Sequence, residues 1–324
     1  MQIYDDILAT LGNTPLVRLG RMHEAGNVVA KVESFNPGSS VKDRIGVEMI
    51  EAAERSGDLK PGGLIVEPTS GNTGLGLAMV AALRGYRLIC TAADKIPKEK
   101  VALLEAFGVE VITCPVDVEA DDPRSYYKVA ERIRDEQGAF LPYQYYNQAN
   151  PTAHYKSTGP EIWRQTEGKI THWVAGMGTG GTISGTARYL KEQNPEVRVV
   201  GVDPVGSVYA HFREHGELPP AEEIHGYFID GIGEDFMPDA VWWDYIDEVV
   251  TIDDRTAYRT SFELARREAI FAGSSGGAAV AGALQVAQRD LPDGDGLVVT
   301  LLPDSGERYL SKMNQEWLEE RELL

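Results

Sequence analysis

Lys42 ends a run of small and turn-forming residues, NPGSSVKDR, Asn36–Arg44. An amine on a flexible four-carbon stem can condense with a carbonyl to form a Schiff base, and with its charge suppressed it can carry a proton. Gly38, Ser39 and Ser40 leave room for backbone to approach a flat ligand closely. Taken alone the run reads more readily as a polar loop with a solvated lysine, because lysine is mostly exposed. Other stretches therefore have to decide what Lys42 does.

Three glycine-rich turns bear on that decision. TSGNTG, Thr69–Gly74, follows the apolar run LIVEP and opens the apolar run LGLAMVAALRG. Its N–H groups, with the hydroxyls of Ser70 and Thr73, suit one carboxylate, and Asn72 offers an amide to a phenolic or alcohol oxygen. A plain helix cap uses the same residue types. GMGTGGT, Gly176–Thr182, matches GxGxxG at Gly176, Gly178 and Gly181, with Asp203 at the end of the next strand. That is a dinucleotide fingerprint. The hydroxyls of Thr179 and Thr182 and the mid-chain position fit a monophosphate as well. With no basic residue in the loop, the anion would rest on helix-start N–H groups, each worth roughly 1.5–3 kcal/mol. Both readings stand at this point, beside that of a tight structural turn.

GSSGG, Gly273–Gly277, fits the GxSxG elbow of hydrolases, which need a histidine later in the chain. The last histidine is His225, so that triad is excluded. Ser274 and Ser275 remain as hydroxyls on a turn of little bulk, structural or facing a ligand edge. HFREH, His211–His215, matches a zinc pattern, but Gly216, Pro219 and Pro220 are expected to deny it a helix. His23, His154, His172 and His225 lack metal spacing and read as surface or packing residues, and no metal site is expected.

The elements that must position these groups alternate as strand, turn and helix. LGNTPLVRLGRM and NVVAKVESF predict two short strands, followed by a helix from about Val41 that Gly57 and Pro61 stop. LIVEP, the TSGNTG turn, LGLAMVAALRG and YRLICTAAD form a βαβ unit, and KEKVALLEAFG with VEVITCP repeats the pattern. An exposed acidic turn at Asp117–Pro123 precedes a further helix. After LPYQYYNQANPTAHY, a second set runs from THWVAGM to VRVVGVDP, then through a loop-rich stretch, Gly206–Pro238, to helices, the strand LVVTLLP and an acidic C-terminal helix. This alternation predicts an α/β protein with doubly wound parallel sheets.

Composition narrows the field. The 324 residues are 43% hydrophobic and 25% charged, ordinary for a globular chain of two domains. Fifty acidic against 31 basic residues give a net charge of −19, a field that repels nucleic acid and anionic membranes. There is no membrane-length apolar run, and MQIYDDILAT lacks the basic start and apolar core of a signal peptide, so a cytoplasmic protein is expected. Cys90 and Cys114 sit in apolar surroundings without CxxC spacing and read as core thiols.

A lysine at a helix start, a carboxylate pocket, a phosphate cradle and a serine on a tight turn together resemble the fold-type II pyridoxal-phosphate enzymes, specifically the cysteine synthase and cystathionine β-synthase group. The likeness runs from GNTPLVRL to PDSGERYLSKM. It implies two doubly wound domains with the cofactor in the cleft between them: residues 1–40 plus 149–324 as the larger, phosphate-binding domain, and 41–148 as the smaller, with the substrate-carboxylate loop. It further implies that Lys42 holds pyridoxal 5'-phosphate as an internal aldimine and Asn72 bonds the ring hydroxyl. Gly178, Thr179, Gly180, Gly181 and Thr182 would hold the phosphate, and Ser275 would face the pyridine nitrogen. Thr69, Ser70, Thr73 and Gln144 would hold the amino-acid carboxylate. The chemistry implied is β-replacement through an external aldimine and an aminoacrylate, with small amino-acid and thiol substrates and a homodimeric enzyme.

Within the group, KVESFNPGSSVKDR, DKIPKEKVALLEAFG, VVGVDPVGS and LLPDSGERYLSKM favour serine and homocysteine as substrates; HYKSTGPEIW and VAGMGTGGTISG favour O-acetylserine and sulfide. The first pair is the expectation. Glu234, in GIGEDFMP, departs from the tyrosine of that branch; its carboxylate could reach the ammonium of homocysteine, or it could mean another acceptor. Only eleven residues precede GNTPL and the chain stops after the catalytic core, so neither haem nor activation by S-adenosylmethionine is expected.

Overall fold

The computed structural model describes residues 3–23, 27–69 and 71–323. In chain order its main elements are β1 (Leu16–Arg18), β2 (Val28–Val32), α1 (Lys42–Ser56), β3 (Leu64–Pro68), α2 (Asn72–Arg84), β4 (Arg87–Ala93), α3 (Lys98–Ala106), β5 (Glu110–Cys114), α4 (Tyr126–Gln137), α5 (Ala149–Lys156), α6 (Thr158–Gln165), β6 (His172–Gly176), α7 (Gly181–Gln193), β7 (Arg198–Pro204), α8 (Tyr209–His215), β8 (Glu248–Ile252), α9 (Asp254–Glu268), α10 (Ser274–Asp290), β9 (Val298–Leu302) and α11 (Gln315–Glu319). The chain divides into two units, residues 1–11 with 36–153, and 12–35 with 154–324.

The first unit is built on the parallel sheet β3-β4-β5. Each strand is followed by a helix, and Phe140 extends the β3 edge through a bridge to Ile65. One core, including Ile45, Met49, Ile65, Leu77, Val80 and Leu104, joins α1 and α2 to the sheet; a smaller one, around Val66, Ile89, Val129 and Ile133, seats α4. Both thiols are free and buried, Cys90 in the first core and Cys114 in the second. The sequence reading put residues 1–40 in the other domain. Residues 1–11 instead belong here because Leu8 packs on the Ile45–Leu77 core, and Asn36–Ser40 belong here because the loop is bonded to the start of α1.

The second unit carries a six-stranded sheet in the order β1-β2-β9-β6-β7-β8, parallel except for β1. From β6 the chain builds outward through β7 and β8, then returns by α9 and α10 to lay β9 on the other side of β6. The direction of winding thus reverses at β6. Open α/β sheets bind ligands beyond the carboxyl ends of strands at such a reversal, and the turn leaving β6 there is the Gly176–Thr182 loop. Val174, Val200, Val202, Ala278, Val280, Ala283 and Val298 form the core that holds α10 on the sheet.

Candidate active site

In the first unit, Lys42 is the first residue of α1, half-buried, and its N–H donates to Ser40 Oγ at 3.3 Å. Two glycines make this placement possible. A Cβ on Gly46 would lie 2.5 Å from the Gly76 carbonyl carbon, and one on Gly76 would lie 2.6 Å from the Lys42 oxygen. The backbones of α1 and α2 therefore meet directly, and the start of α1 is fixed against α2. Gly76→Ala should force these helices apart at Lys42, since backbone cannot swing away as a side chain can. The expected destabilisation is about 1–3 kcal/mol, read as a lower urea midpoint with an unchanged m-value. A midpoint equal to that of the parent would disprove the close contact.

Gly38 works differently from the sequence reading. Its own Cβ position is crowded by Asp43 Oδ1 at 2.5 Å and Met79 Cε at 2.6 Å, so it is small to let the loop pack on its own protein. Asp43, fully buried, accepts from Gly38 N at 2.7 Å, and Asn36 Nδ2 donates to Ser40 O at 3.1 Å. Ser39 is held at φ 60°. The loop before Lys42 is thus set before any ligand arrives.

The TSGNTG turn leaves the carboxyl end of β3 and opens α2. Its N-cap is Gly71, which supplies no side-chain bond to the helix start; a helix beginning without one keeps N–H groups for an anion. Asn72 is the first helical residue, half-buried, and Thr69 Oγ1 accepts from Gly71 N at 3.3 Å. Thr73, 3% exposed, donates to Gln144 Oε1 at 2.7 Å, so two residues 71 positions apart meet. Ser70 lies outside the described residues.

Sequence reasoning missed Glu67. This residue is completely buried at the end of β3, and its carboxylate accepts from Tyr143 N at 2.7 Å and Gln144 N at 3.1 Å. Burial pushes its pKa up to about 7, against those two backbone bonds, which lower it. The acid within LIVEP was the available signal, since an ionisable residue inside a buried strand needs a partner.

In the second unit, Gly178, Thr179, Gly180 and Gly181 are all buried. A Cβ on Gly178 would lie 2.5 Å from the Gly231 oxygen, and Gly180 has φ 83° with Val241 against it. Tyr209 donates its hydroxyl to the Gly178 carbonyl, fixing the loop from below, and Gly181 N points to Thr179 Oγ1 at 3.5 Å. N-cap Gly180 gives α7 no side-chain bond. A buried start to a 13-residue helix, flanked by the hydroxyls of Thr179 and Thr182, fits a phosphate by the chemistry of its donors.

Asp203 does not serve a dinucleotide. Fully buried, its Oδ2 accepts from Ala210 N at 3.0 Å at the start of α8, and burial raises its pKa to about 6. The acid that the dinucleotide reading needs for a ribose is turned inward.

His154, read as a surface or packing residue, joins the Gly176–Thr182 loop. Fully buried, it places Nδ1 2.8 Å from Thr158 Oγ1 and Nε2 3.2 Å from Thr182 Oγ1. GSSGG is the start of helix α10 rather than a free turn, with Gly273 as its N-cap. Ser274 Oγ accepts from Asp230 N at 3.0 Å, and Ser275 is 3% exposed at the second helical position. A Cβ on Gly277 would collide with the Ala257 carbonyl, so that glycine serves the packing of α10 on α9. HFREH does form a helix, α8, which Gly216 ends at φ 76°, and the His211 and His215 rings lie 4.2 Å apart on one face. Glu234 is half-buried, its backbone fixed by Ser207, whose hydroxyl accepts from Glu234 N at 3.0 Å and donates to Glu234 O at 3.1 Å.

One α/β unit presents a lysine and an uncapped helix start, and the other a buried phosphate-type loop; these donor sets are those of a cofactor enzyme. Residues 7–304 match the family model "Pyridoxal-phosphate dependent enzyme", and the chain belongs to that family. It is 41% identical over 333 residues to cystathionine beta-synthase of Apis mellifera, 43% over 323 residues to that of Mus musculus and 44% over 323 residues to that of Rattus norvegicus. These alignments take in 98–100% of this chain, which spans only 56–64% of the relatives' length. Among solved structures, O-ureido-L-serine synthase superposes with a TM-score of 0.87 at 40% identity, covering 96% of this chain and 94% of the other.

Proposed function

We propose that this enzyme replaces the β-substituent of L-serine, or of an activated serine, with homocysteine to give cystathionine. The observation that carries the reading is the Thr73–Gln144 pair at the uncapped start of α2, on the helix whose Gly76 fixes the start of α1 and so Lys42. The whole-chain similarity to cystathionine beta-synthases supports it.

Thr69, Ser70, Thr73 and Gln144 hold the amino-acid carboxylate, which fixes the direction of its Cα–H bond. Lys42 would hold the cofactor, and its amine, when free and neutral, would take the α-proton and later return a proton to the product. Pyridoxal phosphate, when bound, supplies the electron sink for that step. Asn72 would hold the ring hydroxyl, and Gly178–Thr182 would hold the phosphate through N–H groups and hydroxyls. Ser275 would offer the ring nitrogen a hydroxyl, which, unlike a carboxylate, would not favour a protonated ring and would let loss of the β-substituent compete. Glu234 offers a carboxylate to the ammonium of homocysteine.

The likeness to O-ureido-L-serine synthase favours a second reading, in which the same first half-reaction serves another nucleophile; sulfide, giving cysteine, is the simplest. L-Serine and O-acetyl-L-serine, each offered with homocysteine and with sulfide, separate the two. Cystathionine from serine and homocysteine is the expected product by mass spectrometry, and turnover with sulfide alone would replace this reading with the second. A cytoplasmic homodimer completes the proposal. Free Cys90 and Cys114 suit a reducing compartment, and among the described residues no helix is long and apolar enough to cross a membrane.

A further inference from the structure

We infer that Glu67 is a positioning residue for amino-acid binding: its carboxylate clamps the Tyr143–Gln144 turn and thereby sets the Gln144 amide against Thr73. The inference rests on the proposed role of Gln144. Three observations carry it. The carboxylate grips two successive peptide N–H groups, Tyr143 at 2.7 Å and Gln144 at 3.1 Å, so it fixes a stretch of backbone and not merely one atom. Tyr143 stands at φ 53°, a left-handed conformation that a tyrosine does not hold unless its surroundings impose it. The side chain leaving that turn meets Thr73 at 2.7 Å, on the first turn of α2, while Asn150 Nδ2 donates to the Gln144 carbonyl at 2.8 Å. Glu67 at the end of β3 is thus linked to Thr73 on α2 through Gln144.

An ionised carboxylate accepts both N–H bonds at full strength, one on each oxygen. A protonated one accepts more weakly through its hydroxyl oxygen, so one of the two bonds is weakened. The titratable groups set against it are Cys90, its register partner on β4, and Tyr143 on the turn, with Glu131 of α4 behind the Tyr143 hydroxyl at 3.4 Å. Burial pushes the Cys90 thiol up, and the Tyr143 phenol is pushed up to about 12, so both are neutral near pH 7, while the Glu131 carboxyl is paired with Lys128 Nζ at 2.8 Å. With Glu67 itself raised to about 7, the clamp is strongest above neutrality and loosens as pH falls through 7.

The test titrates the cofactor-loaded enzyme with L-serine and with L-alanine, following the cofactor's absorbance. Glu67→Gln keeps the shape but replaces one acceptor by an N–H₂. Its amino-acid dissociation constant should rise at least tenfold, with cofactor content and melting temperature near those of the parent. In the parent, affinity should fall with pH below 7; in Glu67→Gln this dependence should vanish. Glu67→Gln combined with Gln144→Ala should bind no worse than Gln144→Ala alone, because Glu67 acts through that side chain. Equal affinity in Glu67→Gln, additive losses in the double variant, or a flat parent profile would each overturn the inference. Should Glu67→Gln not fold, the parent pH profile and Glu67→Asp, which is expected to weaken binding by a smaller factor, decide it. If the parent responds to neither amino acid, the functional reading fails first, and this inference with it.

Discussion

Lys42→Ala should lower turnover by ~10³–10⁴-fold, the scale of losing a positioned acid–base group, with the fold intact. Alanine is the best helix former, so the first position of α1 tolerates it. The bond that seats this residue, its N–H to Ser40 Oγ, is made by the backbone and survives the change. The contact between the Lys42 carbonyl and Gly76 is likewise backbone, so α1 and α2 stay in register. What disappears is the amine alone. Circular dichroism melting should therefore be near that of the parent. Borohydride reduction followed by peptide mass spectrometry should find a pyridoxyl adduct on the Lys42 peptide of the parent and none in the variant. Turnover within tenfold of the parent, or an adduct on another lysine, would remove Lys42 from the mechanism.

Elements governed by short-range rules were legible in the sequence. Gly57 ends α1 in a left-handed conformation at φ 84°, and Gly85 and Gly138 do the same for α2 and α4, as a glycine after an apolar-periodic run foretells. LIVEP and VRVVGVDP are strands, and the loops that follow them lie where an α/β alternation puts them. Lys42, Asn72 and the Gly178–Thr182 loop fall at helix starts because small residues before an apolar run are both a cap signal and an anion signal.

Illegible were the groups whose role depends on partners far along the chain. Glu67 meets Tyr143 and Gln144, 76 and 77 positions away, and nothing near LIVEP announces them. Asp203 looked like a ribose ligand because spacing carries no side-chain direction; the structure turns it onto α8. Glycines were also ambiguous. Gly38, Gly76 and Gly277 allow backbone or side chains of this protein to approach, while Gly180 supplies a left-handed turn under a helix start, and the letter is the same in each case.

His154→Phe should weaken binding of pyridoxal phosphate about 10- to 100-fold, the range given by losing one charge-assisted hydrogen bond of roughly 1.5–3 kcal/mol at 1.36 kcal/mol per decade. The imidazole sits fully buried between two hydroxyls, Thr158 Oγ1 at 2.8 Å from Nδ1 and Thr182 Oγ1 at 3.2 Å from Nε2. Of the two neutral tautomers, one serves an anion at the loop. Thr158 donates to Nδ1, Nε2–H donates to the Thr182 oxygen, and Thr182 then has its own O–H to give to the phosphate. With the other tautomer Thr182 donates to the ring and turns an oxygen lone pair toward the anion. Phenylalanine keeps the ring volume and removes both bonds, so the Thr182 hydroxyl loses its orientation while the core stays filled. His154→Gln restores a donor and an acceptor on a planar group and should recover part of the affinity. Thr182→Val should match His154→Phe, and the double variant should be no weaker than either, because one hydroxyl is lost in all three. Equilibrium dialysis against pyridoxal phosphate reads this without turnover. Affinity within twofold of the parent for His154→Phe would return His154 to the packing role that its place in the sequence suggested.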